Sequence, residues 1–462
     1  MTRGITAYAA YLPHYKLSRQ AIADGLGEPR GGPGSRSVAS FDEDAITMGV
    51  AAARRLRLPG TAVSRIYLAT SSPPYLDKSN AVVVNAALGG TDWVLCIDLA
   101  GLRSGLTALY CASESGGLAV LSDMRTGLPG SPEERDGGDG AAAFLFGEGD
   151  EVIAEILGTS SISLEIMDGW RAPGREPAFV WEERFAAHVY GSAVRDVIAQ
   201  VGKETGRTEP ATHTIVSAAI RRFAASAAAG AGSEGGTGPQ DAHREDVGYC
   251  GAAESGILLA RALDAAKRDD TILVVQVASG VDAMLLRVLR DGPGARDLVA
   301  GRAHVSYNSY LTWRGFLPRE PARRPDRPSP AAPPAFRNRR WKYALEGSIC
   351  LECHKVYLPP QRVCGGCGAV DSMGSYSVAD RAGTVVSTST DSVTDSPNPP
   401  ALVAIVDFDG GGRITCDLTD CRAADATVGS KVRMTFRSTY AVNGTPNYFW
   451  KAEPIREGDA SS

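Results

Sequence analysis

WVLCIDLAGLRSGLTALYCASESGG, residues 93–117, decides how the first part of the chain is built. WVLCIDLAG has the continuous apolar texture of a buried strand and runs into a turn at Gly101. SGLTALYCASESGG then reads as a helix that ends at paired glycines. Outward from this unit the same alternation recurs. ITAYAAYLP opens the chain as a strand, and the Asp42-Glu43-Asp44 cluster caps a helix through AITMGVAAARRL. SRIYLAT, LAVLSDM and GAAAFLFG read as strands, and NAVVVNAAL as a helix. A second run repeats the plan. VWEERFAAHVYGSAVRDVIAQVGKETG is a long amphipathic helix, HTIVSAA a strand-to-helix corner, ESGILLARALDAAK a helix, and TILVVQVASG and AMLLRVLR apolar strands. Such alternation predicts a layered α/β domain with buried sheets. The glycine-rich stretch around 227–246 reads as a mobile loop.

At 462 residues the chain is too long for one core, and two to four domains are expected. With 44% apolar and 22% charged residues and a net charge of −5, it has a soluble globular profile and no nucleic-acid footprint. The N-terminus lacks the apolar core of a signal peptide, and no stretch reaches membrane-spanning length. Cys96, Cys111, Cys250, Cys416 and Cys421 read as reduced thiols, and a cytoplasmic location is expected.

From Arg319 to Arg340 the texture changes to REPARRPDRPSPAAPPAFRNRR. Without interleaved aromatics this basic run reads as a semi-rigid linker rather than a nucleic-acid or membrane contact. Two knuckles follow, Cys350-x-x-Cys353 and Cys364-x-x-Cys367, ten residues apart. Four thiolates at this spacing can close a tetrahedron around structural zinc. A redox dithiol would need only one knuckle, and buried free thiols are the remaining alternative. His354 abuts Cys353 and could compete as a ligand, but four sulfurs suffice. Beyond them, GTVVSTSTDSV, ALVAIVDFDGGGRITCDL, KVRMTFRSTY and NYFWKAEP are short strands broken by glycine turns, which predicts a small barrel of OB type. Some such barrels bind oligonucleotides, but the acidic chain argues against that here. GEGD and DGGGR read as hairpin turns, not phosphate loops.

SFDEDAITMGVAAAR, SSPPYLDKSN, DLAGLRSGLTAL, GDGAAAFLFG, MDGWRAPGREPAFVWEERF and GYCGAAESGILLARALDAAKRDDTILVV resemble, in the family's order, the thiolase superfamily, above all 3-hydroxy-3-methylglutaryl-CoA synthase and ketoacyl-ACP synthase III. WKYALEGSICLECHKVYLPPQRVCGGCG and NYFWKAEP resemble zinc-ribbon/OB-fold proteins that accompany thiolase-fold enzymes as partner subunits. The resemblance implies a five-layered thiolase-type domain over 1–315, with similar halves of about 1–165 and 166–315. A linker at 316–340, a zinc ribbon at 341–375 and an OB-fold at 376–462 would follow. It also implies a homodimer, a CoA- or phosphopantetheine-linked acyl substrate and a possible thiolase-fold partner.

The departures from that pattern matter as much. Arg103 stands where the family has its catalytic cysteine, with Ser104 beside it; Ser217 stands for the general-base histidine, Tyr249 for the asparagine of the G-N-T-G turn, and Ser71 for the synthase's glutamate. An acyl-cysteine mechanism by the usual residues is therefore not expected, and Cys96, Cys111 and Cys250 lie off the nucleophile position. Arg103 at a helix N-terminus opposes the dipole, so it either holds a thioester oxygen, enolate or carboxylate or makes a surface salt bridge. Tyr249 either passes protons to a substrate hydroxyl or fills the emptied pocket. Ser104 and Ser217 could be nucleophiles only with a base nearby, and none of the six histidines stands at the expected base position; His188 and His213 read as surface or core residues. Trp170 and Arg171 would shape the acyl or phosphopantetheine tunnel. Three functions remain open: a thioester-dependent aldolase or retro-aldolase, like the thiolase-fold aldolases of steroid side-chain degradation; an acyltransferase or condensing enzyme of secondary metabolism; and a non-catalytic thioester-binding scaffold.

Overall fold

The computed structural model describes residues 2–56, 58, 63–167, 169–172, 174, 178–180, 183–207, 209–220, 223–224, 239–293, 298, 301–320, 329 and 331–456. Residues 227–238 of the loop expected around 227–246, and residues 321–328 and 330 of the linker, fall outside them; Pro239–Asp246, expected in that loop, is a helix. Two compact units are present. The first comprises Met1–Ala39, Asp44–Ala81 and Trp93–Tyr310; the second comprises Ser40–Glu43, Val82–Asp92 and Leu311–Ser462.

The first unit is built on a nine-stranded mixed sheet. Its strands are β1 (Arg3–Tyr11), β2 (Arg65–Thr70), β3 (Leu95–Ala100), β4 (Gly117–Met124), β5 (Asp139–Glu148), β6 (Ala154–Ser163), β7 (His213–Ala218), β8 (Thr271–Val277) and β9 (Gly280–Val288). They lie in the order β7-β8-β9-β6-β1-β5-β4-β2-β3. Within the sheet β1 pairs with β6 through Gly4↔Glu155 and Ile5↔Ala154, and β6 pairs with β9 from Gly280↔Ser163 to Val288↔Ala154. Helices α1 (Ala45–Arg54), α2 (Ser104–Ser115), α3 (Glu183–Thr205) and α4 (Glu254–Ala265) cover the strands. One buried cluster joins Leu106, Leu109 and Ala112 of α2 and Ile257, Leu259 and Leu263 of α4 to strands of both halves. Small residues make this close packing possible: Ala141, Ala142 and Ala143 in β5 are fully buried.

Two local readings are corrected. β3 is an edge strand and half exposed, with Leu95 57% and Trp93 94% accessible, so its apolar texture does not mark a buried strand. Of the Asp42-Glu43-Asp44 cluster, only Asp44 caps α1, in a reciprocal capping box with Thr47.

The second unit holds a three-stranded ribbon, with Glu346–Cys350 between Val356–Tyr357 and Met373–Ser377. Its barrel strands are β10 (Gly383–Asp391), β11 (Ala401–Phe408), β12 (Arg413–Asp417), β13 (Lys431–Val442) and β14 (Thr445–Pro454), in the order β12-β11-β10-β13-β14. A Leu418↔Ala452 bridge brings the two edges together. The described end of the expected linker is helical, over Ala332–Arg337 and Arg339–Ala344. No described helix is long and apolar enough to cross a membrane.

Asp42 and Glu43 belong to this second unit, in a buried ion cluster around Arg437. The Arg437 Nη1 lies 2.6 Å from Glu43 Oε1, and its Nη2 lies 2.6 Å from Asp420 Oδ2 and 3.5 Å from Glu453 Oε2. Lys451 Nζ lies 3.0 Å from Asp42 Oδ2. Against the cost of burial, Lys451 and Arg437 hold the Asp42 carboxyl below its ordinary value, and Arg433 and Arg437 do the same for Glu453. Asp420 goes the other way. Burial and the neighbouring carboxylates Glu43, Asp42 and Glu453 push its carboxyl up to about 8, against the pull of Arg437.

The pH dependence follows by linkage. Folded Asp420 retains a proton between about pH 4 and pH 8 that the unfolded chain releases, so its contribution to stability falls as pH rises through that window. The slope is at most about 1.4 kcal/mol per pH unit. The depressed groups Asp42 and Glu453 lose their contribution only below the ordinary carboxylate range. Urea unfolding of the full chain should show the C-terminal transition weakening from pH 6 to pH 8, and Asp420→Asn should flatten that limb.

Candidate functional site

β3 ends at Ala100, and Gly101 turns the chain with φ +93°, its N–H bonded to Thr70 O at 3.0 Å. Arg103 follows at the N-cap of α2 and makes no capping bond. Its guanidinium points away from the helix and forms a two-pronged pair with Asp282 of β9, Nε to Oδ2 and Nη2 to Oδ1, both at 2.7 Å. Nη1 donates to Ser163 Oγ at 2.8 Å and Ser279 O at 3.2 Å, and Nη2 donates to Ile162 O at 3.3 Å. All five N–H donors of the guanidinium are thereby committed within the protein. The bond to Asp282 raises the Arg103 pKa further. The expected role, holding a thioester oxygen or enolate directly, has no donor left to perform it. Arg103 acts instead as a clamp between the two halves of the unit.

The rest of this helix end is filled by the protein itself. Gln276 of β8 accepts from the Leu106 N–H at 2.8 Å and donates to Leu102 O. The Ser104 hydroxyl donates to Gly101 O at 2.6 Å. Ser217 is 1% exposed on β7, and its Oγ has no hydrogen-bond partner among the described residues. Among the described residues neither serine has a base within hydrogen-bonding distance.

Tyr249 sits in a different setting, 6% exposed. Its N–H donates to Asp136 O at 2.8 Å, and its carbonyl accepts from the Gly138 N–H at 2.9 Å. The Arg244 guanidinium stacks on the ring 4.8 Å from its centroid. Arg244 is tied in turn to Glu254 Oε1 at 2.8 Å and to Ala218 O. Burial raises the Tyr249 pKa despite Arg125 and Arg244 nearby, so the phenol stays protonated at neutral pH. Burial would also raise the Glu254 carboxyl, but Arg244 and His243 together bring it down to about 2. The partners of Tyr249 are Arg125, Arg244, Glu254 and Asp123, whereas Arg103 is paired with Asp282; the two expected catalytic groups share none of these contacts.

Ser71 leads into the same network. Its hydroxyl donates to Asp123 Oδ2 at 2.6 Å and accepts from Arg125 Nη1 at 2.7 Å. Asp123 also receives the Ser72 hydroxyl at 2.6 Å and the Ala252 N–H at 2.9 Å. Gly251 has φ +56°, and a Cβ there would lie 2.1 Å from Asp123 Oδ2, so the GYCG turn needs glycine at this position. Arg125 continues to Glu133, which Arg171 also reaches at 2.8 Å. Arg171 thus joins the Tyr249 network through Glu133, while Trp170 stacks on Phe179 with centroids 5.6 Å apart and is 37% exposed. A cleft of about 300 Å³ lined by Arg19, Glu28, Arg30, Gly31, Ser131 and Arg135 backs onto this network. Arg19 in its wall donates to Arg244 O at 2.8 Å.

Asp282, Gln276, Asp123, Arg244 and Glu254 were not singled out from the sequence. Asp282, Gln276 and Asp123 are the polar exceptions within apolar strands, and that was the available signal.

Two groups of donors could be considered for a metal. His243, Cys250 and Glu254 place ligand atoms within 4.8 Å of one another, all buried. Arg261 Nη1, which can only donate, lies 3.4 Å from His243 Nδ1. The imidazole proton is therefore on Nε2, 3.4 Å from Glu254, and no lone pair remains for an ion. This is an ion cluster, not a metal centre. The four ribbon sulfurs differ. Cys350, Cys353, Cys364 and Cys367 also lie within 4.8 Å of one another, with Cys350–Cys367 at 3.6 Å and Cys353–Cys364 at 3.4 Å. Sulfurs about 2.3 Å from a tetrahedral zinc stand about 3.8 Å apart, so this donor set fits that ion. The Gly366 and Cys367 N–H groups point at Cys364 Sγ at 3.4 and 3.5 Å, as outer-shell donors to a thiolate would.

Comparison with known proteins agrees with both units. Residues 376–437 match the family described as "ChsH2, C-terminal OB-fold domain". The hydroxymethylglutaryl-CoA synthase of Methanopyrus kandleri is 28% identical over 346 residues, covering 68% of this chain and 97% of the relative. That of Picrophilus torridus is 28% identical over 353 residues, with 68% and 97% covered. A crystal structure of HMG-CoA synthase complexed with CoA superposes with a TM-score of 0.58 at 18% identity, covering 68% of this chain and 90% of the other. The HMG synthase of the curacin biosynthetic pathway, in complex with holo donor-ACP, gives 0.59 at 16% identity, with 68% and 88% covered. The first unit has the α/β fold of these synthases, and residues 376–437 match an OB-fold domain family.

Proposed function

We propose that the first unit binds an acyl thioester, carried by CoA or an acyl-carrier phosphopantetheine, and makes or breaks the carbon–carbon bond β to the thioester without an acyl-enzyme. The observation that carries this reading is the nucleophile position. Arg103 replaces the thiol there, and its guanidinium is spent on Asp282, Ser163 and two carbonyls. The synthases among the relatives, two of them solved with CoA or an acyl-carrier donor, support the thioester class. The arginine-lined cleft against the Tyr249 network suits the anionic end of such a carrier.

Tyr249 supplies the proton chemistry. In the cleavage direction the phenolate form of Tyr249, a minor species at neutral pH because burial raises its pKa, takes the β-hydroxyl proton, the Cα–Cβ bond breaks, and its electron pair passes to the thioester carbonyl as an enolate; a carbonyl fragment departs. In the addition direction the protonated phenol donates to the forming alkoxide. A phenol with a raised pKa is better matched to an alkoxide than an ordinary tyrosine. The same locked helix end favours one other reading, a thioester-binding scaffold with no turnover. Acyl transfer is disfavoured because Ser104 donates to a carbonyl and meets no base. A homodimer through the half-exposed edge of β3 and a cytoplasmic location complete the reading.

Incubation with a panel of β-hydroxyacyl-CoA and β-ketoacyl-CoA thioesters, followed by mass analysis of products, tests it. Cleavage is expected, and Tyr249→Phe should lower it at least about 100-fold while thioester binding persists. Binding without turnover in the wild-type chain would establish the scaffold instead.

We also propose that Cys350, Cys353, Cys364 and Cys367 hold one zinc with a purely structural role. Elemental analysis of freshly purified, unchelated protein should give one zinc per chain. Cys353→Ser should abolish that stoichiometry and loosen the Glu346–Ser377 ribbon, leaving the first unit folded.

A further inference from the structure

The barrel of the second unit carries two buried cations, Arg437 at 1% and Lys451 at 4% exposure, on neighbouring strands β13 and β14. Among the described contacts the barrel gives Arg437 Asp420 and Glu453 at Nη2 and Thr435 Oγ1 at Nε, and gives Lys451 the half-exposed Asp417 at 3.7 Å. The remainder comes from Ser40–Glu43, which lie far away in sequence. Glu43 meets Arg437 Nη1 at 2.6 Å, and Asp42 lies 3.6 Å from the same nitrogen. Asp42 Oδ2 takes the Lys451 ammonium at 3.0 Å and the Thr419 hydroxyl at 2.8 Å.

Backbone and ring contacts complete the fit. Ser438 N–H on β13 donates to Asp42 O at 2.9 Å, beside a register shift between Ser438 and Tyr440. The Lys451 ammonium stands 4.9 Å from the Phe41 ring centroid, and Phe41 packs on Trp313 at 6.0 Å. Asp420 is held at φ +53°, a left-handed conformation that a non-glycine residue adopts at a cost. The neighbouring cleft, lined by Phe41, Thr419 and Asp420, is only about 40 Å³, so the tetrapeptide already fills the recess.

We propose that this recess, formed by Arg437, Lys451, Thr419 and the Ser438 amide, is a recognition site for a short acidic segment of the form Phe-Asp-Glu, occupied in this chain by its own residues 41–43. Recognition uses a backbone bond for register, two carboxylates for two cations and an aromatic ring under the ammonium. With its own segment disabled, the recess accepts an acidic peptide of that pattern from outside.

The test uses the full chain. Asp42→Asn/Glu43→Gln leaves both cations short of buried partners and should lower the midpoint of the C-terminal unfolding transition by roughly 5 °C or more. The peptide ASFDEDA, added at millimolar concentration, should restore part of that loss, and the restoration should shrink as salt is raised. ASFNQNA should restore nothing. Equal effects of the two peptides, or a double variant as stable as the wild type, would overturn the proposal. Should the variant not fold, hydrogen exchange of the wild-type chain decides. Rising salt should speed exchange of the Ser438 amide at least tenfold relative to Met434 in the barrel core, and equal responses at both amides would overturn it.

Discussion

The N-terminus of α2 is the point on which the first unit turns. A helix that starts between two packed layers leaves its first N–H groups facing the interior, and something must satisfy them. Here Gln276, from a strand of the other half, takes the Leu106 N–H. Arg103, the first residue past the turn, crosses to Asp282 on the neighbouring strand of that half. The two contacts fasten α2 to strands β8 and β9 of the other half. They also occupy the N-terminus of α2 with the protein's own groups, and the proposed reading puts the proton chemistry on the Tyr249 side.

That side is a continuous buried network. From Ser71 it runs through Asp123 and Arg125 to Glu133 and Arg171, and from Tyr249 through Arg244 to Glu254 and His243. Each carboxylate in it faces a guanidinium or several N–H donors, and for Glu254 the charges of Arg244 and His243 bring the carboxyl down to about 2 against the cost of burial. Tyr249 keeps its phenolic proton at neutral pH because burial raises its pKa.

Much of this was legible in the chain. The order of strands and helices through the first 290 residues followed from apolar periodicity, and the four-cysteine spacing anticipated the sulfur cluster. What the sequence could not show was pairing at a distance. Whether Arg103 holds a substrate oxygen or makes a salt bridge was open in the sequence, because its partner Asp282 lies 179 residues away on another strand. β3 read as buried because edge and centre strands share the same apolar composition; only the sheet order separates them. Asp42 and Glu43 read as helix-dipole charges, an interaction worth under about 1 kcal/mol, and the competing demand of two buried cations outweighs it.

The central claim, that the first unit handles thioesters without an acyl-enzyme, is tested most directly by intact-mass measurement of the full chain after incubation with excess acyl-CoA. With Arg103 paired to Asp282, Ser104 bonded to Gly101 O and Cys250 fully buried with its thiol pKa raised by burial, the mass should remain that of the unmodified protein. A single stoichiometric acyl adduct mapping to Cys111, Cys250 or Ser104 would contradict the account.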